Sequence, residues 1–287
     1  TLDSLQTQTY KEFEVTIIDD GSTDETKNVV QPYLTKNIRY IKTAHKGSPY
    51  TWNLGVRKSK HSHILLTGDD VVLDPNCLSA LAEATKTVDK RTLGAIAPRL
   101  IYTADLRNPA EEEADKKYAY IDPCTGDIAG SFNVKANKIL EVPILHGYSL
   151  VQKEAFIDIA GFDEKTYKGN YYREETDLWL RLKSKGYKLY YNPKAKIYCQ
   201  KSLTKGGQWS NVGGKLLTYE YYVIRNHKEF LKKFYGKERF FMLPTFIIRR
   251  LYTGLLQMHA RIQYNQKTPS KNSRLRGKTS CKDNESN

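Results

Sequence analysis

The sequence predicts an α/β fold with a mostly parallel central sheet flanked by helices, followed by a helical and basic C-terminal extension. Strand and helix patterns alternate through the first hundred residues, which is typical of a parallel sheet covered by helices. Two predicted strands end in paired aspartates, and open α/β sheets bind ligands at the carboxyl ends of their strands. Most of the excess positive charge lies in the last third of the chain, which sets the extension apart.

Apolar runs separated by turn residues predict each element in order. The expected strands cover residues 13–18, 37–43, 63–67, 94–102, 146–152 and 187–199. The expected helices cover residues 25–33, 49–58, 75–87, 153–159, 174–185, 216–234 and 239–262. Residues 118–128 are expected to form a hairpin around a Pro/Gly turn, and the charged run 111–117 is expected to be a solvated loop or helix end.

Composition and charge limit the classes of protein to consider. The net charge is +14, and residues 201–287 carry 18 Lys and Arg but only 5 Asp and Glu, so the first 200 residues are nearly neutral. A basic segment attracts anionic lipid, phosphate or nucleic acid, although it can also be an ordinary solvated surface. The four cysteines are scattered, which argues against a disulfide framework or a zinc cluster and favours a cytoplasmic setting. No signal peptide or membrane-spanning run is expected within the sequence. Whether a targeting or membrane segment precedes it is left open.

Two pairs of aspartates mark the expected ligand-binding edge of the sheet. Asp69 and Asp70 follow an apolar strand, and charges are rarely buried without a partner such as a divalent cation. A second strand ends the same way, in Asp19 and Asp20, before Gly21 permits a tight turn. Either pair alone could be a solvated turn, but two such ends in one sheet indicate a metal and phosphate site.

An acidic helix start provides a candidate general base. Glu174, Glu175 and Asp177 fall within one turn at the expected N-terminus of a helix. Acidic residues at this position are often explained by the helix dipole alone. Three together, beside a loop that contains Gly169 and Asn170, suggest that a carboxylate faces a cleft and could take a proton from a hydroxyl.

Several segments occur in an order and spacing that one family shares. They are residues 4–15, Asp19-Asp20-Gly21-Ser22-Thr23-Asp24, Asn53-x-Gly55, the strand into Asp69-Asp70, Gly161-Phe162-Asp163-Glu164, Glu174-Glu175-Thr176-Asp177-Leu178 and Gly186-Tyr187-Lys188. In these segments the chain resembles the family-2 glycosyltransferases, which have the A-type fold of nucleotide-diphospho-sugar transferases. The similarity runs from Ser4 to about Phe234.

The resemblance implies a nucleoside-diphosphate sugar as donor and Mn²⁺ or Mg²⁺ as cofactor. By this similarity Asp20, with Asp19 beside it, would hold the base and ribose of the nucleotide. Asp70 would ligate the metal that bridges the diphosphate, and Asp69 would assist at the ribose or at the metal.

The same resemblance implies an inverting transfer of the sugar to an acceptor hydroxyl. Glu175 matches the carboxylate that serves as base in inverting members, and a cation would stabilise the leaving diphosphate. The residues that fall where the acceptor binds are His146, Gly147, Tyr148 and Glu174. The acceptor is expected to be a saccharide or a lipid-linked saccharide, as in the synthesis of cell-surface glycans.

The chain differs from the family pattern at four places. It begins inside what would be the first helix, so the first strand of the family is expected to be missing from this sequence. Gly68 and Trp52 stand where many members have an acidic residue and an Arg. Cys199 occupies the position of a frequent metal-ligating His. Because a neutral thiol is a poor ligand for Mg²⁺ or Mn²⁺, Asp70 is expected to be the strongest protein ligand.

These observations divide the chain into three expected parts. Residues 1–212 would form the glycosyltransferase catalytic domain, with a nucleotide-binding part over about 1–102 and an acceptor-binding part over about 103–212. Residues 213–264 would form a helical extension, whose apolar run 240–248 is too short to span a bilayer but, with Lys and Arg around it, could lie on an anionic membrane surface. Residues 265–287 are polar and expected to be disordered.

The favoured interpretation is an active glycosyltransferase at the inner face of a membrane. The sequence also allows two alternatives. One is a catalytically lapsed homologue that binds a nucleotide or a partner, which the missing first strand and Cys199 would favour. The other is a protein that binds nucleic acid through its basic C-terminal third, but this leaves the paired acids unexplained. A sugar-1-phosphate nucleotidyltransferase fits less well, because its Gly-rich, Lys-containing N-terminal loop is not seen in the sequence.

Overall fold

The computed structural model describes residues 1–107, 109, 113–115, 117–200 and 215–267, with side chains for all of these except residue 200 and residues 254–267. Ten strands and eight α-helices lie in this part of the chain. The strands are β1 (Val15–Asp19), β2 (Ile38–Lys42), β3 (His63–Leu65), β4 (Val71–Leu73), β5 (Leu93–Thr103), β6 (Tyr120–Ile121), β7 (Ile128–Ala129), β8 (Leu140–Glu141), β9 (Leu150–Gln152) and β10 (Lys188–Gln200). The helices are α1 (Leu2–Gln6), α2 (Thr26–Val30), α3 (Ser48–Lys58), α4 (Cys77–Thr87), α5 (Lys153–Asp158), α6 (Glu174–Ser184), α7 (Leu216–Phe234) and α8 (Arg239–Lys267).

The strands form one large mixed sheet and two small sheets. The large sheet has the order β3-β9-β5-β10-β4, and β8 pairs with β10 beside this path. Strands β5 and β10 run parallel to each other, whereas β9, β4 and β8 run antiparallel to the strands they pair with. Strands β1 and β2 form a separate parallel pair, and β6 and β7 form a hairpin.

The parallel ladder between β5 and β10 forms the centre of the large sheet. All but one residue of β5 is buried, because helices cover both faces of the sheet. Ala95 and Ala97 face one hydrophobic core, which contains residues of α3, α5 and α6. Ile96 faces the other core, which contains residues of α1 and α4. This alternation follows from the two-residue period of a strand, and it fixes α6 on one face of the sheet.

The segment after α1 is held beside β4 by the buried side chain of Gln8. Its amide nitrogen donates to the carbonyl of Asp74 at 2.7 Å, and its amide oxygen accepts from the backbone amide of Leu78 at 2.9 Å. Ser4 Oγ accepts a further hydrogen bond from the backbone amide of Leu73 at 3.1 Å. These bonds satisfy backbone groups of β4 and of the first turn of α4, so they fix the strand that follows Asp70.

Helices α7 and α8 pack against the loop that precedes α6 and against the β6–β7 hairpin. The buried members of this third hydrophobic cluster are Tyr167, Phe230, Leu231 and Met242. Glu220 of α7 and Arg250 of α8 form an ion pair that joins the two helices. In the part of the chain that the structure describes, no helix is long and apolar enough to cross a membrane.

The predicted α/β fold with helices on both faces of the sheet is confirmed. The parallel order predicted for the sheet holds for β1 with β2 and for β5 with β10, while the other pairs of the large sheet are antiparallel. Strands β4 and β8 were missed, because two or three residues carry too short a pattern to detect. Helix α8 continues to Lys267. Residues 268–287 of the expected tail lie outside the described residues, as do residues 111, 112 and 116 of the charged run.

The side chain of Asn53 attaches α3 to the turn after α5. It donates to the carbonyl of Phe162 at 3.0 Å and to Glu164 Oε1 at 2.7 Å, and it accepts from the amide of Phe162 at 2.8 Å. Asn53→Ala would leave buried backbone groups without partners, so we expect the free energy of unfolding to fall by about 2 kcal/mol. Urea denaturation measures this loss. The matched control is Asn28→Ala at an exposed position, and an equal effect of both changes would contradict the prediction.

Candidate active site

The carboxylate that ends β1 is held by the turn that follows it. Asp19 is buried, and its carboxyl accepts hydrogen bonds from the Ser22 amide at 2.7 Å and from the Tyr40 hydroxyl. Burial alone would raise the pKa of Asp19, but these hydrogen bonds outweigh it and hold the pKa below its usual value. Asp19 therefore stays ionised and fixes the turn from which Asp20 projects.

Asp20 connects this turn with the start of α3. Its carboxyl accepts from the backbone amides of Lys46 at 2.7 Å and Gly47 at 2.8 Å, and it pairs with His45 at 2.9 Å. Tyr171, from the loop before α6, lies so close that a Cβ on Gly47 would be 1.8 Å from its hydroxyl oxygen. Gly47 also has a φ of +93°, so only glycine fits here. The ends of β1 and β2, the start of α3 and the loop before α6 thus meet around Asp20.

Asp69 and Asp70 lie exposed between β3 and β4, beside the carboxyl ends of β5 and β10. The Tyr148 hydroxyl donates to Asp70 Oδ1 at 2.9 Å. Cys199 lies beside this pair, since it is opposite Val71 in the β4–β10 ladder, and its thiol interacts with both Tyr148 and the charge of Asp70. The structure therefore brings the predicted metal ligand together with one predicted acceptor residue.

Glu175, in the first turn of α6, reaches the same edge of the sheet. Its carboxyl packs against Gly147 so closely that an added Cβ would lie 2.0 Å from Glu175 Oε1. Burial and, to a smaller extent, the negative charge of Asp70 raise the pKa of Glu175 to about 7, against the lowering effect of a hydrogen bond from the Gly147 backbone. A carboxyl with a pKa near neutrality can exchange protons under physiological conditions.

Glu174 points in a different direction from its neighbour. Ser48 Oγ at the start of α3 donates to the Glu174 carboxyl at 2.8 Å, and the residue is buried. Burial and the charge of Glu175 raise the pKa of Glu174 well above its usual value, despite this hydrogen bond. The two adjacent carboxyls therefore lie in different parts of the site. Glu174 contacts the start of α3, near Asp20, and Glu175 lies near Asp70.

Asp177, the third carboxylate of the acidic helix start, has a structural role. It is fully buried and accepts a hydrogen bond from the Tyr167 hydroxyl at 2.9 Å. It also forms ion pairs with Arg181 and, at 2.6 Å, with Lys233 of α7. Because its oxygens are engaged by these groups, Asp177 holds α7 against α6 and does not face a ligand.

The predicted acceptor residues lie at different depths. Gly147 and Tyr148 border the edge that carries Asp70, whereas His146 is buried beneath it. His146 Nε2 lies 2.8 Å from the carbonyl oxygen of Pro98, and burial lowers the pKa of His146 to about 4. The ring is therefore neutral and supports the loop from below, while contact of these residues with an acceptor stays a prediction.

The fold adds tyrosines to the site that sequence reasoning missed. Tyr102, at the carboxyl end of β5, lies opposite Cys199 in the β5–β10 ladder, and burial and then its acidic surroundings, which include Glu175 and Asp70, raise the pKa of Tyr102. Near Asp20, a cleft of about 360 Å³ is lined by Lys46, Pro49, Tyr50, Glu164 and Tyr171. The chain contains 21 tyrosines, so nothing in the sequence singles out those that border the site.

The chemistry of the donor set decides whether a divalent cation fits near Asp70. Mg²⁺ is commonly held by one or two carboxylates together with phosphate oxygens of a substrate, and Asp69 and Asp70 are adjacent and exposed. Cys199 fits poorly, because burial raises the pKa of its thiol to about 11 and leaves it neutral. Among the described residues, no three His, Cys, Asp or Glu side chains are grouped to hold a metal. The residues thus fit a cation that Asp70 and a bound diphosphate would share.

Comparison with known proteins finds one family whose profile matches the first part of the chain. Residues 1–140 match the sequence profile of the family described as glycosyl transferase family 2. This segment is just under half of the chain, and within it the chain is similar to that family. The matched segment contains both aspartate pairs and ends before Gly147 and Glu175, so the assignment of those two residues depends on geometry and on the resemblance of the later segments.

The curated relatives of this chain are longer than it is. Poly-β-1,6-N-acetyl-D-glucosamine synthase of Staphylococcus aureus (strain COL) is 22% identical over 243 residues, which cover 80% of this chain and 54% of the synthase. An uncharacterised glycosyltransferase of Rickettsia felis is 26% identical over 184 residues, which cover 63% of this chain and 28% of the relative. The chain thus spans about half or less of the length of these relatives.

Several solved structures share the fold of this chain. A crystal structure of GalNAc-T7 with UDP, GalNAc and Mn²⁺ has a TM-score of 0.65 at 14% identity, and the match covers 83% of this chain and 45% of that chain. Staphylococcus aureus TarS has a TM-score of 0.52 at 16% identity over 86% of this chain and 39% of TarS. TarS 1–349 in complex with UDP has a TM-score of 0.50 at 17% identity over 88% of this chain and 67% of that chain. These matches confirm the predicted A-type fold.

The raised pKa of Glu175 predicts a pH-dependent change in stability. This carboxyl binds its proton more tightly in the folded than in the unfolded chain, so its contribution to stability is present at low pH and is lost as the pH rises through about 7. Glu175→Gln stays neutral, and we therefore expect it to unfold at a higher urea concentration than the wild type at about pH 8 but not at about pH 5. Glu154→Gln, at an exposed first-turn position of α5, is the control. A difference that is the same at both pH values would contradict the prediction.

Proposed function

We propose that this chain transfers a sugar from a nucleoside-diphosphate sugar to an acceptor hydroxyl in glycan synthesis, with inversion at the anomeric carbon. The observation that carries the proposal is the position of Glu175. Its carboxyl has a pKa near neutrality, packs against Gly147 and interacts with the charge of Asp70. A proton acceptor thus lies beside the acidic edge of the sheet where a donor diphosphate would bind.

The donor side of the proposed site is formed by the two aspartate pairs. Asp20, oriented by the amides of Lys46 and Gly47, would contact the base and ribose, with Asp19 fixing the turn behind it. Asp70, held by Tyr148, would bind Mn²⁺ or Mg²⁺ together with the diphosphate, and Asp69 would assist at the ribose or the metal. A divalent cation, when bound, would offset the negative charge that develops on the leaving diphosphate.

The acceptor side of the proposed site is formed by Glu175 and the loop that contains Gly147. Glu175 would accept the proton of the acceptor hydroxyl as its oxygen attacks the anomeric carbon, and the bond to the diphosphate would break on the opposite face. A single displacement of this kind inverts the anomeric centre. The absence of a side chain at residue 147 leaves the Glu175 carboxyl in place, and Tyr148 and Glu174 would border the acceptor.

The relatives support the class of reaction and suggest the first ligands to test. The synthase from Staphylococcus aureus is named for a polymer of N-acetyl-D-glucosamine, which supports a role in polysaccharide synthesis. TarS 1–349 was solved with UDP, and GalNAc-T7 with UDP and Mn²⁺, so UDP-sugars with Mn²⁺ are the donors to test first. A lipid-linked acceptor fits the same chemistry, since only a free hydroxyl is required.

Substitution of the two key carboxylates tests this function. We expect Glu175→Gln to lower kcat by about 1,000-fold, because it removes the general base, while the Kd for UDP is unchanged. Asp70→Asn should instead weaken Mn²⁺-dependent UDP binding, measured by titration calorimetry. Glu154→Gln is the control for both variants and should leave turnover and binding unchanged.

Three results of that experiment would decide between the proposed functions. Turnover of a UDP-sugar that depends on Glu175 supports the enzyme. UDP binding without turnover of any nucleotide sugar supports a catalytically lapsed homologue. If the wild-type chain neither binds nor turns over a nucleotide sugar, the proposed function is wrong.

We further propose that α8 contacts an anionic membrane surface. Its exposed side carries Phe240, Phe241, Ile248, Leu251 and Tyr252, each more than 60% exposed. Met242 and Phe246 on its opposite side are buried, so the helix is amphipathic. Cations lie on or near the helix, and part of this charge is already paired: Lys233, Arg249 and Arg250 form ion pairs with Asp163, Asp122 and Glu220. Lys232 is paired with Glu229, and the exposed Lys237 lies close to the start of the helix. The combination of an apolar face and cations fits acidic lipid.

Flotation with lipid vesicles tests the membrane contact. The chain should float with vesicles that contain phosphatidylglycerol, less with pure phosphatidylcholine, and less at high salt, because exposed charges are screened. The double change Phe241→Ser and Ile248→Ser should abolish flotation. Val29→Ser, which removes an exposed apolar side chain from α2, is the control. Absence of flotation, with a dimer detected by light scattering, would assign the apolar face to a second copy instead.

A further inference from the structure

Helix α6 begins at a residue with an unfavourable backbone conformation. Arg173 precedes Glu174 directly and has a φ of +83° and a ψ of −3°, in the left-handed region. Residues other than glycine rarely adopt this conformation, because their Cβ is crowded by the backbone. Such strain persists only where the surrounding structure holds it, and it is frequent at functional sites. The surroundings of Arg173 therefore decide how α6 starts.

The side chain of Arg173 is buried and anchored by two different elements. Its Nη2 atom forms an ion pair with Asp127 of the β6–β7 hairpin turn at 2.6 Å, and its Nε donates to His227 Nδ1 of α7 at 3.1 Å. The guanidinium also lies over the rings of Tyr172 at 4.5 Å and Phe230 at 5.4 Å. Only 2% of the Arg173 side chain is exposed, so its position is fixed from several sides.

His227 can accept the hydrogen bond from Arg173 only as a neutral ring. Its Nε2 donates to the carbonyl of Thr125 at 2.8 Å, which leaves Nδ1 as the acceptor for Arg173 Nε. Burial first, and then the positive charge of Arg173, lower the pKa of His227 to about 3. The ring stacks on Phe246 of α8 with centroids 3.8 Å apart, so both helices after residue 215 help to hold it.

Helix α7 also holds the loop that leads into Arg173. Asn226 is fully buried, accepts from the amide of Lys168 at 3.1 Å, and donates to its carbonyl at 2.8 Å. The Tyr222 ring covers Gly169, where an added Cβ would lie 2.4 Å from the ring. Arg225 donates to the carbonyl of Thr166 at 2.8 Å. The loop therefore has little freedom to move independently of α7.

We propose that Arg173 is a positioning residue for Glu175, and that α7 and the β6–β7 hairpin act on the reaction through it. The anchored guanidinium keeps residue 173 in the left-handed conformation, and that conformation directs the first turn of α6 so that the Glu175 carboxyl reaches Gly147. If the anchor is lost, the backbone relaxes and the carboxyl moves away from Gly147. The inference depends on the proposed function, since it assigns a residue that supports the proposed base.

Two substitutions at Arg173 separate the anchor from the backbone conformation. Arg173→Ala removes the anchor but keeps a residue for which the left-handed conformation is unfavourable. Arg173→Gly also removes the anchor, but glycine adopts this conformation without strain. We expect Arg173→Ala to lower kcat by about 100-fold, the effect of a displacement of roughly 1 Å in a catalytic group, with the KM for the donor unchanged. Arg173→Gly should retain a kcat between that of Arg173→Ala and the wild type.

Hydrogen exchange gives a readout that does not require activity. The Gly147 backbone donates to the Glu175 carboxyl, so its amide should exchange faster in Arg173→Ala than in the wild type, with Arg173→Gly intermediate. Mass spectrometry of the peptide that contains Gly147 measures this in the free protein. The matched control is Arg250→Ala, which removes the two hydrogen bonds from α8 to Glu220 of α7 and leaves the contacts of Arg173 with Asp127 and His227 in place. It should lower the melting temperature without changing kcat or the exchange at Gly147.

The possible results separate this proposal from the proposed function. A folded Arg173→Ala with wild-type kcat and wild-type exchange at Gly147 would overturn the positioning role. So would an Arg173→Gly no better than Arg173→Ala, or an Arg250→Ala with the same losses, since these would indicate a general effect on stability. If the wild type shows no sugar transfer, the proposed function fails, but the order of Gly147 exchange rates still decides whether Arg173 positions Glu175.

Discussion

The parallel ladder between β5 and β10 is the interaction on which the rest of the structure depends. Its residues face hydrophobic cores on both sides, so neither strand can shift without exposing apolar surface on two faces. The carboxyl end of the ladder places Tyr102 opposite Cys199, and the adjacent pairing with β4 places Cys199 beside Asp70. Helix α6 leads directly into β10, which brings Glu175 to the same edge. The register of this pair thus brings Asp70 and Glu175 together, while Asp20 follows a strand of the separate β1–β2 sheet.

Buried acidic residues with a structural role differ from those of the candidate site in whether a cation offsets the cost of burying their charge. Asp127 and Asp177 are paired with Arg or Lys, and the charge of Arg173 lowers the pKa of Asp127 although burial opposes it. Among the residues that the structure describes, no Arg or Lys pairs with Glu174 or Glu175. Burial raises the pKa of both even though they lie at a helix N-terminus, where the helix dipole favours negative charge. Burial outweighs the dipole here because two acidic side chains share one turn and Asp70 adds a third negative charge near Glu175. A protein keeps such unfavourable groups at sites where proton transfer requires them.

The acidic residues at the strand ends and at the start of α6 could be predicted from the sequence, because each pattern is local. Paired aspartates at two strand ends, and an acidic run at a helix start, can each be recognised within ten residues. The local pattern does not show which carboxylate of that run faces the site, and only the family resemblance singled out Glu175. The choice depends on contacts that are distant in the chain: Asp177 meets Lys233, Glu174 meets Ser48, and Glu175 meets Gly147. The separate β1–β2 pair and the antiparallel partners of the large sheet were missed for a related reason, since strand direction is set by tertiary pairing and not by the local pattern.

The two C-terminal helices make different kinds of contact, which argues against treating residues 213–264 as one appendage. Helix α7 contributes the buried polar side chains of Asn226 and His227 to the loop and helix that carry the proposed base, and its Lys233 pairs with the buried Asp177. Buried hydrogen bonds and ion pairs require fixed geometry, because a group left without its partner destabilises the fold. Helix α8 instead presents a face of large apolar side chains to solvent, and such a face imposes little geometry on its partner. We therefore place α7 with the catalytic part of the chain and regard α8 as the element that connects it to a surface. The proposed membrane contact of α8 would be linked to Glu175 by direct contacts from Phe246 through His227 and Arg173 to the start of α6.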